Sequence, residues 1–166
     1  MKKLQIIGRA LAWFNLIFWG IPIVSFLLGV LASVDLQFLV PVVLLAAVPL
    51  HSFAALQLQR SLRHPQIKLS QQTPAGIRFV GTIALFIGIL LAFTGAAAMG
   101  VAKEMLPQFK EKMGQFKQWD MSAMTVGDLR AIAALYLLLG LAVVANVMIH
   151  LRLLRWYYLV KQSDVS

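Results

Sequence analysis

A chain of 166 residues is long enough for one ordinary domain, yet 60% of its residues are apolar and only 13% charged, against ~45–50% and ~25% in soluble globular proteins. A soluble body of this size cannot hide that much apolar surface, so the expected solvent is lipid. The lack of cysteine excludes disulfide staples, thiolate metal sites and thiol chemistry, and the net charge of +9 reads as membrane topology rather than nucleic-acid binding, because the basic residues flank long apolar runs.

About 20 consecutive apolar residues suffice to cross a bilayer core as a helix. Four runs free of Asp, Glu, Lys and Arg reach that length: residues 10–34, 36–59, 79–102 and 131–151. They predict an all-α protein, a four-helix transmembrane bundle forming one membrane domain over 1–166. The first run follows Lys2, Lys3 and Arg9, as a signal peptide would. It is far longer than the ~7–15-residue apolar core of such a peptide and reads as a retained span.

Asp35 sits where it can cap the second run, which makes the first two spans a tight hairpin. Pro49 inside the second run leaves the carbonyl of Leu45 without its helical donor. Residues 60–78 form a loop, and Thr73-Pro74 within it places a capping residue before a first-turn proline. In the third run Gly81, Gly88 and Gly95 recur every seven residues, with Ala84 and Ala92 between them. Such stripes let helix backbones approach closely. Packing within the bundle is the favoured use, and a homo-oligomer seam is the alternative.

Residues 103–130 form an amphipathic outer segment between helices 3 and 4. Met105, Phe109, Met113 and Phe116 recur at helical spacing, with Lys110, Glu111, Lys112 and Lys117 between them, and Trp119 extends the apolar side. Pro107 is expected to limit where this helix begins. Anchoring in the membrane interface is favoured over docking of a protein partner. Thr125 to Asp128 has capping-box spacing, with Asp in place of Glu.

Lys and Arg near span ends set orientation. Ten basic residues fall on the side of the two termini and the 60–78 loop, and five on the other side, where five carboxylates match them. Both termini are therefore expected in the cytoplasm, with 60–78 as a cytoplasmic loop, in a plasma or bacterial-type inner membrane. Trp13, and Trp156 to Tyr158, suit the aromatic belt on that side.

Polar side chains inside spans are costly and therefore informative. Counting ~1.5 Å per residue from the inner basic markers places Asn15 and Asn146 ~9 Å deep, Thr82 ~6 Å, His51 ~14 Å and His150 ~3 Å. Asn15, His51, Asn146 and His150 are the candidate ligand or polar-cluster residues. Asn146 and His150 share a helix face, and equal depths suggest a direct Asn15–Asn146 pair. His150 alone, close to a helix end, reads as interfacial. Interhelical hydrogen bonding is favoured over a cytoplasm-facing pocket.

No residue set suggests a metal or cofactor. Lipid phosphotransfer and intramembrane proteolysis need metal-binding aspartates, phosphate clamps or an activated serine. Ion-coupled carriers need an intramembrane charge. None of these occurs in the runs. The expectation is a non-catalytic membrane protein: an accessory, regulatory or assembly subunit, or a toxin-immunity protein, in contact with lipid and with a protein partner or second copy. The alternatives are a haem- or small-ligand-binding subunit and a passive pore. The ~11 Å depth difference between His51 and His150 argues against a haem clamp.

Overall fold

The structure is a computed structural model that describes residues 2–33, 39–64, 66–114 and 123–163. Among the described residues the elements are all helical: α1 (Lys2–Ser33), α2 (Leu39–Leu45), α3 (Ala47–Arg63), α4 (Gln72–Gly100), α5 (Ala102–Gly114) and α6 (Val126–Ser163). Four stretches are long and apolar enough to cross a membrane: Lys2–Gly29, Leu39–Arg63, Gln72–Gly100 and Val126–Val160. The all-α expectation and the four apolar helices therefore hold.

The helices outrun the apolar runs. α1 begins at Lys2, α4 at Gln72, and α6 continues to Ser163. Charge ends a lipid span, but it does not end a helix whose polar turns stand in water. The expected 60–78 loop accordingly shrinks to the residues between Arg63 and Gln72. Ser61 Oγ donates to the Ile67 carbonyl across it.

The second span is divided. α2 stops at Leu45, α3 starts at Ala47, and Ala46 N–H still donates to the Val42 carbonyl at 2.9 Å. Pro49 lies in the first turn of α3 and has no N–H to continue the helical ladder. The bond it cannot make to Leu45 is where the two helices part.

Two sequence expectations about helix starts need correction. Thr73 does not act as a cap. α4 is already under way at Gln72, and the Thr73 hydroxyl donates to Gln57 Oε1 at 3.0 Å, tying α4 to α3. Pro107 does not mark a helix start either, since α5 begins five residues earlier and contains it. The Thr125–Asp128 box does form. Thr125 N–H donates to Asp128 Oδ2 at 2.8 Å and Asp128 N–H to Thr125 Oγ1 at 3.2 Å. Asp35, Phe116, Lys117 and Trp119 lie outside the described residues, as does the side chain of Met113.

The chain divides into two compact units, Met1–Ile87 with Ala142–Ser166, and Gly88–Leu141. In the first unit α1 packs along α2 and α3, and Leu58, Ile77, Leu153 and Leu154 form a buried apolar cluster. In the second unit α4 and α6 meet through small residues. A Cβ on Gly95 would lie 2.5 Å from Leu137 N and 2.6 Å from the Ala133 carbonyl oxygen. One on Gly140 would lie 2.6 Å from the Gly88 carbonyl oxygen and would also strike the Ala92 backbone.

The surface is inverted relative to a soluble protein. Phe79 and Phe93 are each 72% exposed, and Ile21, Leu28, Phe86 and Leu138 all exceed 60%. Asn15, His51, Ser52 and His150 are at 0%. Large apolar side chains left outside while polar ones are buried beside an apolar core is the distribution that hydrocarbon solvent imposes, because unpaired polar groups cost most where nothing can hydrogen-bond them.

Candidate functional site

The site grows from two buried helix stripes of the first unit. On α6, Val143, Asn146, Val147, His150, Leu153 and Leu154 are all buried. Their spacing of three and four residues makes one face. On α3, Val48, His51, Ser52, Ala55, Leu58 and Gln59 repeat the pattern. The polar members interrupt otherwise apolar faces, so packing those faces carries them into the interior.

Asn146 Nδ2 donates to Ser52 Oγ at 3.1 Å, and Ser52 Oγ donates to the Val48 carbonyl one turn back at 2.9 Å. His150 Nδ1 is 2.7 Å from the Asn146 carbonyl, and Nε2 is 2.7 Å from the Gln59 amide. His51 meets His150 edge to face, with ring centroids 6.1 Å apart. Gly81 of α4 makes room for the His51 ring: a Cβ there would stand 2.9 Å from its Nδ1. Gly8 of α1 makes room for Ile149, Gln59 and the other imidazole together, since a Cβ would lie 2.7 Å from Ile149 Cγ2, 3.1 Å from the Gln59 amide and 3.3 Å from His150 Cε1.

The Gln59 amide has two competing orientations. With its oxygen toward α1 it accepts from Arg9 N–H at 2.9 Å and from His150 Nε2 at 2.7 Å, while its NH2 donates to the Gln5 carbonyl at 3.2 Å. That arrangement needs a proton on Nε2. The contact of Nδ1 with the Asn146 carbonyl needs one on Nδ1. A neutral imidazole has a single N–H, so it satisfies one arrangement at a time.

Other buried atoms have no partner. Both nitrogens of His51 and the Oδ1 atoms of Asn15 and Asn146 are buried and lack a hydrogen bond, as does Trp19 Nε1. The Ile77 backbone faces the His51 ring, but no contact there meets hydrogen-bond geometry. Each such atom costs ~1–3 kcal/mol. Their concentration in one unit is what a ligand-binding or solvated polar site shows when its own side chains do not close the network.

The four sequence candidates thus all lie buried, and three of them, His51, Asn146 and His150, share one cluster. Asn15 does not pair with Asn146. Its Nδ2 donates to the Leu11 carbonyl of its own helix at 2.9 Å, because equal depth fixes height and not the direction a side chain faces. His150 is buried and does not stand near a helix end, since α6 runs 13 residues past it. The inferred depth gap between His51 and His150 also fails. The rings meet although one lies nine residues from Arg60 and the other two from Arg152, so the terminal arginines of α3 and α6 are offset by several residues. Thr82 takes no part, since it is exposed and bonds the Arg78 carbonyl of its own helix.

Sequence reasoning missed Gln59, Ser52 and Gly8. The i,i+4 and i,i+7 spacing of Gln59 with Ala55 and Ser52 was the available signal. Its neighbour Arg60 disguised it as surface. Among the described residues no three His, Cys, Asp or Glu side chains converge as a metal ion requires. Comparison with protein-family models, with curated proteins and with solved structures returned no match.

Proposed function

We propose that this chain is a non-catalytic integral membrane protein, an accessory, regulatory or assembly subunit of a bacterial-type inner membrane, with both termini in the cytoplasm. The observation that carries the reading is the chemistry of the buried set. Its polar side chains are Asn, His, Ser, Gln and Thr, with no carboxylate or amine among the described residues. Ser52 spends its hydroxyl proton on a backbone carbonyl, so it is not held as a nucleophile by His51. The groups join helices rather than attack a substrate.

The orientation rests on the basic surplus around the termini and the Arg63–Gln72 connection. A reporter active only in the periplasm is expected to be silent after Ser166 and active when inserted at Gly114. Activity at the C-terminal fusion overturns the orientation. The subunit reading is checked by purification in mild detergent, where a stoichiometric second protein is expected. A particle containing this chain alone overturns it.

A second reading is favoured by the unpartnered nitrogens of His51 and the free Asn146 oxygen: a subunit that binds a small hydrogen-bonding ligand in the first unit. Haem is the less suitable ligand, because both nitrogens of His150 already face protein groups at 2.7 Å.

A further inference from the structure

Within the first unit, α1 and α3 flank a groove of about 470 Å³ whose polar lining is dominated by Arg9, Arg60, Arg63 and His64, with Trp13 beside them. Among the described residues no Asp or Glu lines it. Arg60 and Arg63 stand in the last turn of α3, where cations complement a helix end carrying about −0.5 charge. Three guanidinium groups exceed that several-fold, so the groove keeps a net positive charge.

Leu16 and Phe53 of this groove also line a second one, of about 690 Å³, whose other walls include Ile17, Ile21, Pro49 and Leu50. The order along the helices shows how the two join. The basic groove takes α1 residues 9–16 and α3 residues 53–64. The apolar one takes residues 16–27 of α1 and reaches back along the second span from Phe53 to Ala46. They are consecutive stretches of one antiparallel seam, basic at one end and apolar along the rest. At ~1.5 Å per residue the apolar part runs ~16 Å along α1, about half of a ~30 Å hydrocarbon core, which is one leaflet.

We infer that this seam binds an anionic phospholipid, with its phosphate at Arg9, Arg60 and Arg63 and an acyl chain against Leu16, Ile21, Leu50 and Phe53. Charge complementarity selects the headgroup, since guanidinium groups pair with phosphate oxygens in forked geometry. The one-leaflet length of the apolar stretch selects a lipid over a free phosphate. The exposed Trp13 (51%) stands where an indole favours the headgroup level.

The inference rests on the membrane reading, and the two are tested separately. The full chain is first reconstituted in phosphatidylcholine vesicles. Failure to float with them sinks the membrane reading itself. Native mass spectrometry of the detergent-solubilised protein then compares phosphatidylglycerol, phosphatidylcholine and inorganic phosphate. Wild type should retain phosphatidylglycerol at least several-fold better than phosphatidylcholine. Arg60→Gln with Arg63→Gln should cut that preference roughly thirtyfold, given about one kcal/mol per basic residue at a charged headgroup surface.

Arg152→Gln, outside the groove, should leave the preference intact, and Gly20→Leu, which fills the apolar part, should lower retention. Arg60, Arg63 and Arg152 are exposed, a Cβ on Gly20 would stand 3.8 Å from Pro49 Cβ, an ordinary contact, and unchanged melting temperatures check the fold. Equal retention of both lipids overturns the inference. So does an equal loss in Arg152→Gln, which would mean diffuse attraction. Retention of inorganic phosphate as strong as that of lipid, or indifference to Gly20→Leu, would mean a headgroup site without the chain, and also overturns it.

Discussion

The two units of this chain hold their helices together in opposite ways. In the unit of Met1–Ile87 and Ala142–Ser166, α3 and α6 meet through side chains: a hydroxyl, two amides and two imidazoles, with glycine used to admit a ring. In Gly88–Leu141 they are absent. Every buried polar side chain among the described residues belongs to the first unit. The second relies on Gly88, Ala92 and Gly95 of α4 meeting Ala133, Leu137 and Gly140 of α6 nearly backbone to backbone. Four helices this long and apolar suit a membrane, where lipid supplies no hydrophobic force between helices and close packing and hydrogen bonds are the available means.

The contrast teaches that the two means differ in what they secure. An interhelical hydrogen bond in a membrane contributes ~0.6–2 kcal/mol, and an unpartnered buried atom costs ~1–3 kcal/mol. The five unpartnered atoms of the first unit offset much of what its bonds contribute. That unit therefore gains register and a polar interior more than stability. The second unit gains dispersion contacts with no such debit, and it tolerates no added volume.

The largest effect that could break this comparison is steric. Gly140→Ala or Gly95→Ala places a methyl against opposing backbone, which cannot swing aside, and should cost about 3 kcal/mol or more. Gly29→Ala, facing open space within α1, should be neutral or stabilising by up to ~1 kcal/mol. Thermal unfolding in detergent measures both. If Gly140→Ala and Gly29→Ala behave alike, the close seam of the second unit is wrong.

A middle-sized effect separates the two histidines. His150→Leu removes one of the partners of Gln59 and leaves it the Arg9 N–H and the Gln5 carbonyl, so a loss of ~0.5–1.5 kcal/mol is expected. His51→Leu removes two nitrogens that have no partner and should change stability by under ~0.5 kcal/mol, or raise it. Comparable losses at both positions would mean that His51 holds a bound molecule, which would favour the ligand-binding subunit.

The smallest effect is a coupling. Gly81→Ala pushes a methyl onto the His51 ring rather than onto backbone, and a ring can shift, so its cost should fall below that of Gly140→Ala. Combined with His51→Ala, the penalty should shrink by ~0.5–1 kcal/mol or more, since residues in direct contact are non-additive. Strict additivity in this cycle would show that the ring and the glycine do not touch.

How far the sequence reached follows the same divide. Uncharged length was enough to find the four apolar helices, because the absence of charge over ~20 residues is a physical requirement of the bilayer core. It was not enough to find their ends, since α1 and α6 continue through Lys2–Arg9 and Arg152–Ser163 as helix. The burial of Asn15, His51 and Asn146 followed from cost, whereas that of His150 was hidden by its nearness to Arg152. Their partners did not, because a count along one helix says nothing of its rotation or of its stagger against another. Gln59 was lost beside Arg60. The Gly81–Gly88–Gly95 stripe was legible as a pattern, but not its split, with Gly81 receiving a ring and Gly95 a backbone.

The Gln59–His150 contact makes one proton a matter of helix attachment. When that proton sits on Nδ1, the imidazole holds its own helix at the Asn146 carbonyl, and Gln59 is bound to it as a donor. When it sits on Nε2, the same amide is free to turn its oxygen to the Arg9 N–H and its NH2 to the Gln5 carbonyl, gripping α1. The tautomer of a single buried ring thus decides whether the glutamine binds α6 alone or α6 and α1 together. The interior carries a binary choice made by one proton and a half-turn of one amide.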